Sequence, residues 1–436
     1  MKRIKLTITA LSPLSIANQK PGSVSEAEDY IPGSVIRGAV ASQMLQLSGV
    51  EPQNLTTNGG DFAALFLNSQ PAIFHNAYPA VPHPTDHVMV LPATAVSSKT
   101  DSGFKPKKTD SGFKPPKNGV FDTLIDRFCA DAYNYPFDPS DPKSLEEKTD
   151  TRVEPFGGFY SCTNEEYSKH SVSKRFLTRV GINRKRATSE DEILYSIQVL
   201  NESFTPDSPE KNWQNVTYQS DILIQDQELA ASLTAFFNNN PQIFRLGSAI
   251  SRGLGKVEVK ATMEDAVTDV SSRIAAFNHQ LERRWKLWSI FGEPEKNLSA
   301  NRTYFTLDLQ SHAILTENWQ RTTVISPAML CEYVGLDAEF SQLPNDTARD
   351  EFIKLEVAYS SYDYRSGWNS AWGLMKDIEL ITNRGGVYLF STNQPKVWID
   401  KLNQLQLQGV GDRTWEGFGQ VQICNEFHNV FRESAK

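Results

Sequence analysis

The chain has 436 residues, a formal net charge of −8, 39% hydrophobic and 22% charged residues. This length exceeds one ordinary domain and predicts two or three, the composition excludes a disordered chain, and the acidic balance argues against a protein that coats nucleic acid without specificity. No apolar stretch is long enough to span a bilayer and Met1-Lys2-Arg3 runs into polar–apolar alternation rather than a signal core, so a soluble, cytoplasmic protein is expected.

The first predicted strand has Ile4, Leu6 and Ile8 on one face and Lys5, Thr7 and Thr9 on the other. A loop from Leu11 to Tyr30 carries Glu26, Glu28 and Asp29. It leads into Tyr30-Ile31-Pro32-Gly33-Ser34-Val35-Ile36-Arg37-Gly38. Pro32-Gly33 predicts a turn and Ser34 an N-cap. A helix is expected to about Leu47, with Val35, Ala39 and the Met44-Leu45 region as its apolar stripe. From Gly60 to Lys148 the chain is Pro-rich and is expected to be irregular. It holds an imperfect tandem duplication, Lys99 to Pro106 and Lys108 to Pro115, whose nine-residue period is too short for a solenoid. His83 and His87 are spaced HxxxH, but without a helix their rings do not share a face. None of the four cysteines, Cys129, Cys162, Cys331 and Cys424, sits in a CxxC pair. They are expected to be isolated buried thiols, and no metal or cofactor is expected.

Seven basic residues and no acidic one lie between Lys169 and Arg186, ending in Asn183-Arg184-Lys185-Arg186. Such a cluster in an acidic protein favours phosphate contact. Strands are predicted at Leu194–Leu200 and Asp221–Ile224, and a helix at Gln227–Phe237. A glycine-rich loop, Gly247-Ser248-Ala249-Ile250-Ser251-Arg252-Gly253-Leu254-Gly255, then runs into a strand through Val257 and Val259. Strand, helix, strands, helix, glycine loop and strand make the split βαβ, ferredoxin-like arrangement.

An amphipathic helix is predicted from Ser271 to Phe291, with Ile274, Phe277, Leu281, Trp285 and Trp288 at helical spacing. The order then recurs: a strand at Tyr304–Leu309, a helix at Pro327–Tyr333, strands at Ile353–Tyr359 and Val387–Phe390, a helix at Trp398–Leu407, a second glycine loop from Gly409 through Gly411, Arg413, Gly417 and Gly419, and a strand at Gln420–Cys424. The fold class expected is therefore α+β: two ferredoxin-like βαββαβ modules. The first spans 1–265, with an irregular insertion at about 60–175. A linker helix follows in 266–300, and the second module fills 301–436.

Glycines let the backbone take positive φ and approach a ligand closely. Successive N–H groups could form a nest for phosphate, with Arg252 and Arg413 adding charge and a planar fork. A dinucleotide site is disfavoured, because the glycines here lie between helix and strand rather than strand and helix. Tyr30, Phe244 and Trp415 are candidate base-stacking rings, each also a candidate core residue.

The pairing of Tyr30-Ile31-Pro32-Gly33-Ser34 and Arg37-Gly38 with the Gly247–Gly255 loop resembles the RAMP superfamily of CRISPR-associated proteins. Arg179-Val180-Gly181-Ile182-Asn183-Arg184 leading to Leu194-Tyr195, and Gly367-Trp368-Asn369 before Gly385-Gly386-Val387-Tyr388, resemble the large two-module subunit of type III-D effectors, in the Cas-five group. The resemblance implies a non-catalytic subunit that caps the 5′ handle of crRNA, contacts the large polymerase-like subunit and backbone RAMP subunits, and meets target RNA only indirectly. It implies RNA contacts at Ser34, Arg37, Asn183, Arg184, Arg186, Arg245, Gly247, Ser248, Arg252, Gly253, Gly255 and, in the second module, Arg413. That module has Val324-Ile325-Ser326-Pro327 in place of Ile31-Pro32-Gly33-Ser34, a departure that points to a protein-binding role.

Two rival readings are enzymatic. Asp29, with Glu26 and Glu28, could hold a divalent ion for cleavage of target RNA. Alternatively His75, His83 or His87 could act as general acid or base in metal-independent crRNA processing.

Overall fold

Two antiparallel sheets organise the chain. The computed structural model describes residues 1–18, 26–48, 59–80, 87–100, 102–105, 119–140, 152–183, 188–205, 212–294, 298–299, 301–369 and 373–436. Across the first sheet the order is Val257–Asp265, Lys2–Ala10, Thr217–Ile224, Ile73–Phe74; across the second it is Val421–Ile423, Thr303–Leu309, Val387–Thr392, Lys354–Tyr359. In both, the first strand in sequence lies between the last and the third, and the second lies outside the third. Helices Gly33–Ser48 and Gln227–Asn239 serve the first sheet, and Pro327–Val334 and Pro395–Gln408 the second. Each series therefore runs strand, helix, strand, strand, helix, strand.

Period-two burial builds the first core. Ile4, Leu6, Ile8 and Ala10 are buried together with Ile36 and Val40 of the first helix and Ala230, Leu233 and Phe237 of the second. The first helix buries Ile36 and Val40, while Val35, Ala39 and Met44 sit at the margin. It starts at Gly33, one residue before the expected cap. Ser34 is thus inside the first turn, because the Gly33 N–H is already satisfied by Asn76 Oδ1 at 2.8 Å. The second core gathers Leu307, Phe390, Trp398 and Leu402 with Ile274, Phe277 and Leu281 of the amphipathic helix Val270–Trp288. Asp269 caps that helix, accepting from the Ser272 N–H at 3.2 Å.

The stretch expected to be irregular is not. It carries helices Gly60–Phe66 and Leu124–Ala132 and two three-stranded sheets, one built on Ala95–Ser98 and one on Phe159–Thr163. Its strands are two to five residues long. Val120, Phe121 and Asp122 are all buried, so no alternation betrays them. Although the insertion interrupts the first series, it packs into the second half. Leu124, Ile125 and Cys129 belong to the second core, and Leu91, Val96 and Phe104 pack with Phe427, Val430 and Ala435. Of the cysteines, Cys162 is exposed, contrary to expectation, and the other three are buried. The tandem duplication lies mostly outside the described residues.

Two polar knots lock these parts together. Arg284 on the amphipathic helix holds Asp126 of the insertion through Nε and Nη2, at 2.8 and 2.6 Å, and Trp288 Nε1 donates to the same carboxylate at 2.9 Å. His428 is fully buried between Asp308 of the second sheet, 2.8 Å from Nε2, and Asp122 of the insertion, 3.2 Å from Nδ1.

Candidate nucleic-acid interface

The two glycine loops match bond for bond. In the first, Leu246 N–H donates to the Gly255 carbonyl, Ser248 N–H to Ser15 and Gly255 N–H to Pro13; in the second, Val410 donates to Gly419, Asp412 to Ile314 and Gly419 to His312. Each loop has a single 3₁₀ turn, Ile250–Arg252 or Thr414–Glu416, preceded by a residue in the left-handed region, Ala249 at φ +56° or Arg413 at φ +58°. The opening glycines are needed for close approach. A Cβ on Gly247 would lie 2.4 Å from the Ser15 carbonyl oxygen, and one on Gly411 2.3 Å from that of Ile314.

This register corrects two expectations. Arg413 corresponds to Ala249, and the residue matching Arg252 is Glu416. The anion nest is also largely committed: the N–H groups of Ser248, Arg252, Gly253 and Gly255 all bond within the chain. What the first loop offers is side chains and an adjoining groove. Ser34 and Gly38 of the first helix face Arg245, Gly247, Ser248 and Ile250 across a groove of ≈ 500 Å³. Ser248 Oγ lies 2.8 Å from Ser15 Oγ.

Charge separates the loops. Arg245 donates to the carbonyls of Phe244 at 2.8 Å and Gln242 at 3.0 Å. Arg252 lies over the Tyr195 ring, 5.3 Å from its centroid, and donates to the Tyr195 hydroxyl at 2.6 Å. Arg179 reaches the Arg252 carbonyl at 3.3 Å. Among the described residues these three guanidinium groups have no carboxylate partner. In the second loop Arg413 holds Glu416 at 2.5 Å and Glu379 at 3.1 Å, and Arg321 holds Asp412 at 2.5 Å. That loop is neutralised internally, so Arg413 is a structural cation rather than a free one.

Arg179 and Tyr195 belong to a long hairpin, Lys174–Asn183 with Thr188–Leu200, in which they are directly paired. Only that register brings them to the loop. Asn183 ends its first strand, and Arg184 and Arg186 lie outside the described residues. Arg37 is not brought to the groove. Its Nη2 donates to the Phe66 carbonyl at 3.0 Å, its guanidinium sits 5.2 Å from the Phe66 ring centroid, and burial lowers its pKa. Tyr30 and Phe244 are core residues, whereas Trp415 is 39% exposed.

The acidic loop is held by arginines. Arg384 Nη2 is 2.6 Å from Asp29 Oδ2, and Arg365 is 3.8 Å from Glu28, whose carboxyl burial raises. Among the described residues no group of three or more His, Cys, Asp or Glu could hold a metal ion. His75 and His87 line a second cleft, of ≈ 560 Å³, with Arg3 and Lys5. His83 lies outside the described residues.

Comparisons with known proteins give distant structural matches. A chain of the type III-B Cmr-beta complex bound to cognate target RNA and AMPPnP matches at 10% identity and a TM-score of 0.37, over 91% of this chain and 88% of that one. A Cas6 product complex matches at 13% identity and a TM-score of 0.25, over 49% and 80%. Likeness at this level carries no weight for function. No family model and no curated protein matches.

Proposed function

We propose that this chain is a non-catalytic RAMP subunit of a type III CRISPR ribonucleoprotein, of the III-D kind, whose two sheets are two ferredoxin-like modules and whose first module holds the 5′ handle of crRNA. The two-module reading is supported by the shared strand order and by the matching hydrogen bonds of the loops. The RNA reading is carried by one observation: Arg179, Arg245 and Arg252, three arginines with no carboxylate partner among the described residues, lie at the first loop of a protein with net charge −8. Guanidinium groups that keep their donors free of carboxylates are available to phosphate. The groove beside them brings in Ser34 and Ser248, and in the sequence Asn183, Arg184 and Arg186 follow within seven residues of Arg179. Ultraviolet crosslinking of the co-expressed complex tests this. Crosslinks from the first nucleotides of a repeat-derived RNA to peptides around Ser34, Arg179 and Arg252 are expected, and an absence of repeat-derived RNA would overturn it.

A second reading, metal-independent RNA cleavage, rests on the shared placement of His75 and His87 beside Arg3 and Lys5. Burial lowers the His75 pKa to about 4, leaving a neutral proton acceptor at pH 7. Cleavage of repeat RNA by the isolated protein in EDTA, lost in His75→Ala, would favour it. Metal-dependent cleavage of complementary RNA, lost in Asp29→Ala, would instead favour the acidic loop.

A further inference from the structure

The insertion contains an exact repeat of eight residues, one copy of which is seated in a core. Lys99-Thr100-Asp101-Ser102-Gly103-Phe104-Lys105-Pro106 recurs, residue for residue, as Lys108 to Pro115. Phe104 of the first copy is 8% exposed and packs with Leu91, Val96 and Val430. Three rings surround it, Phe156 at 5.7 Å, Tyr167 at 5.8 Å and Phe427 at 6.3 Å between centroids. The residue before it, Gly103, has φ +130° and donates its N–H to Ser97 Oγ at 3.1 Å. Ser97 Oγ in turn donates to the Gly119 carbonyl at 2.8 Å. One serine hydroxyl therefore clamps the glycine that positions the ring.

The second copy lies outside the described residues, but its residue types are those the pocket holds. Gly112 supplies the same freedom at positive φ and Phe113 the same ring. The connections do not favour either copy. Four residues link Ser98 to Gly103, and fifteen link Gly103 to Gly119. With Gly112 in the place of Gly103 the links become thirteen and six. The Gly103 nitrogen and the Gly119 carbonyl share one hydroxyl, so the shorter link has less than about 6 Å to cross, and six extended residues reach about 20 Å. Closure entropy follows the logarithm of loop length, and these two pairs of lengths favour neither arrangement by more than about twofold.

We propose that the second copy, Lys108 to Pro115, occupies this pocket as an alternative to the first, with Phe113 replacing Phe104. The chain then holds two registers nine residues apart. In one, the surplus residues leave the pocket on the Gly119 side; in the other, on the Ser98 side. States of nearly equal free energy are both populated. Lys105 lies against Gly119 in the first register, its Cε 3.0 Å from where a Gly119 Cβ would be, and Lys114 takes that place in the second. The slip leaves the core unchanged and moves only the exit of a lysine-bearing loop. It involves neither the groove nor the arginines assigned to RNA, and it stands apart from the reading above.

The test uses the full chain with 4-fluorophenylalanine at position 104 in one sample and at position 113 in another. Fluorine NMR should give each sample two resonances, one shielded from a soluble paramagnetic relaxation agent and one open to it. The two shielded fractions should be comparable and together account for one filled pocket. A residue-113 resonance that is wholly open, or a residue-104 resonance that is wholly shielded, would overturn the proposal. Urea denaturation gives a second readout. Phe104→Ala and Phe113→Ala should each lower the folding constant only about two- to threefold, because the other copy still fills the pocket. The double variant should lower it at least hundredfold, about 2.8 kcal/mol. A Phe104→Ala chain as damaged as the double variant, or a double variant as stable as the native chain, would sink the exchange.

Discussion

Arg252 and Arg413 look interchangeable in the sequence, since each lies among the five residues between an opening glycine and a Gly-Leu-Gly or Gly-Phe-Gly. Their surroundings make them opposites. Arg413 is in the left-handed region and is bound by two carboxylates, while Arg252 ends the 3₁₀ turn and meets a tyrosine. Arg245→Gln and Arg252→Gln should each weaken single-stranded RNA binding about tenfold, and each neutralisation should flatten the slope of log K against log salt by about 0.7. Fluorescence anisotropy across a salt series checks both numbers. Arg413→Ala should leave RNA affinity unchanged and lower stability by about 1 kcal/mol, read by urea denaturation. His428 makes a separate prediction. Burial alone would lower its pKa, but Asp308 and Asp122 overcome that and raise it to about 10. The folded state thus holds a proton that the unfolded state, with an ordinary value near 6.5, releases. This stabilisation is complete below about pH 6.5 and is lost as pH rises toward 10. Stability measured from pH 6.5 to 10 should fall in the native protein and fall less steeply in His428→Gln.

At the scale of elements, the contact between the first helix and the second loop depends on two missing side chains, those of Gly33 and Gly417. Gly33→Ala would force its methyl group against the Phe74 and Glu416 carbonyls. It should cost about 1–3 kcal/mol, seen as a lower urea midpoint, whereas Gly38→Ala, whose Cβ meets nothing within 4 Å, should be neutral or slightly stabilising. The elements that carry both sheets were legible because they are long and periodic. The Ile4, Leu6, Ile8 alternation marks a strand, and Ile274, Phe277 and Leu281 mark a helix. The insertion was not, because strands such as Met89–Val90 and Val120–Asp122 are too short to show a period and Val120, Phe121 and Asp122 are buried alike. Half of the candidate site was legible: Ser34, Arg245, Gly247 and Ser248 do share one groove. The rest depended on pairings with no local signature. Arg179 reaches the loop only through its register with Tyr195, Ser15 only through a long-range backbone bond, and the neutralisation of Arg413 only through Glu379, 34 residues away.

At the scale of the whole molecule, the insertion that interrupts the first series is buried in the second, so the sequence boundaries of the proposed modules are not the boundaries of the cores. Arg284 is the clearest measure of that interlocking. It joins the amphipathic helix to Asp126 of the insertion and to Glu433 near the C-terminus, and it lies 4.5 Å from the Phe431 ring centroid. The Glu433 pair is largely solvated and contributes little. Asp126 is 7% exposed, so removing Arg284 leaves a buried carboxylate whose remaining side-chain donor among the described residues is Trp288 Nε1. Arg284→Ala should therefore cost about 3–5 kcal/mol, while Arg284→Met combined with Asp126→Leu, which removes both charges, should recover most of that loss. If the insertion and the second core are one cooperative unit, tryptophan fluorescence, to which seven of the eight tryptophans contribute from the second half of the chain, and far-ultraviolet circular dichroism should give coincident denaturation curves in the native protein. In Arg284→Ala the fluorescence transition should move to lower denaturant than the dichroism. Coincident curves in the variant would mean that the first sheet also depends on this ion pair, and that the chain unfolds as one body rather than two.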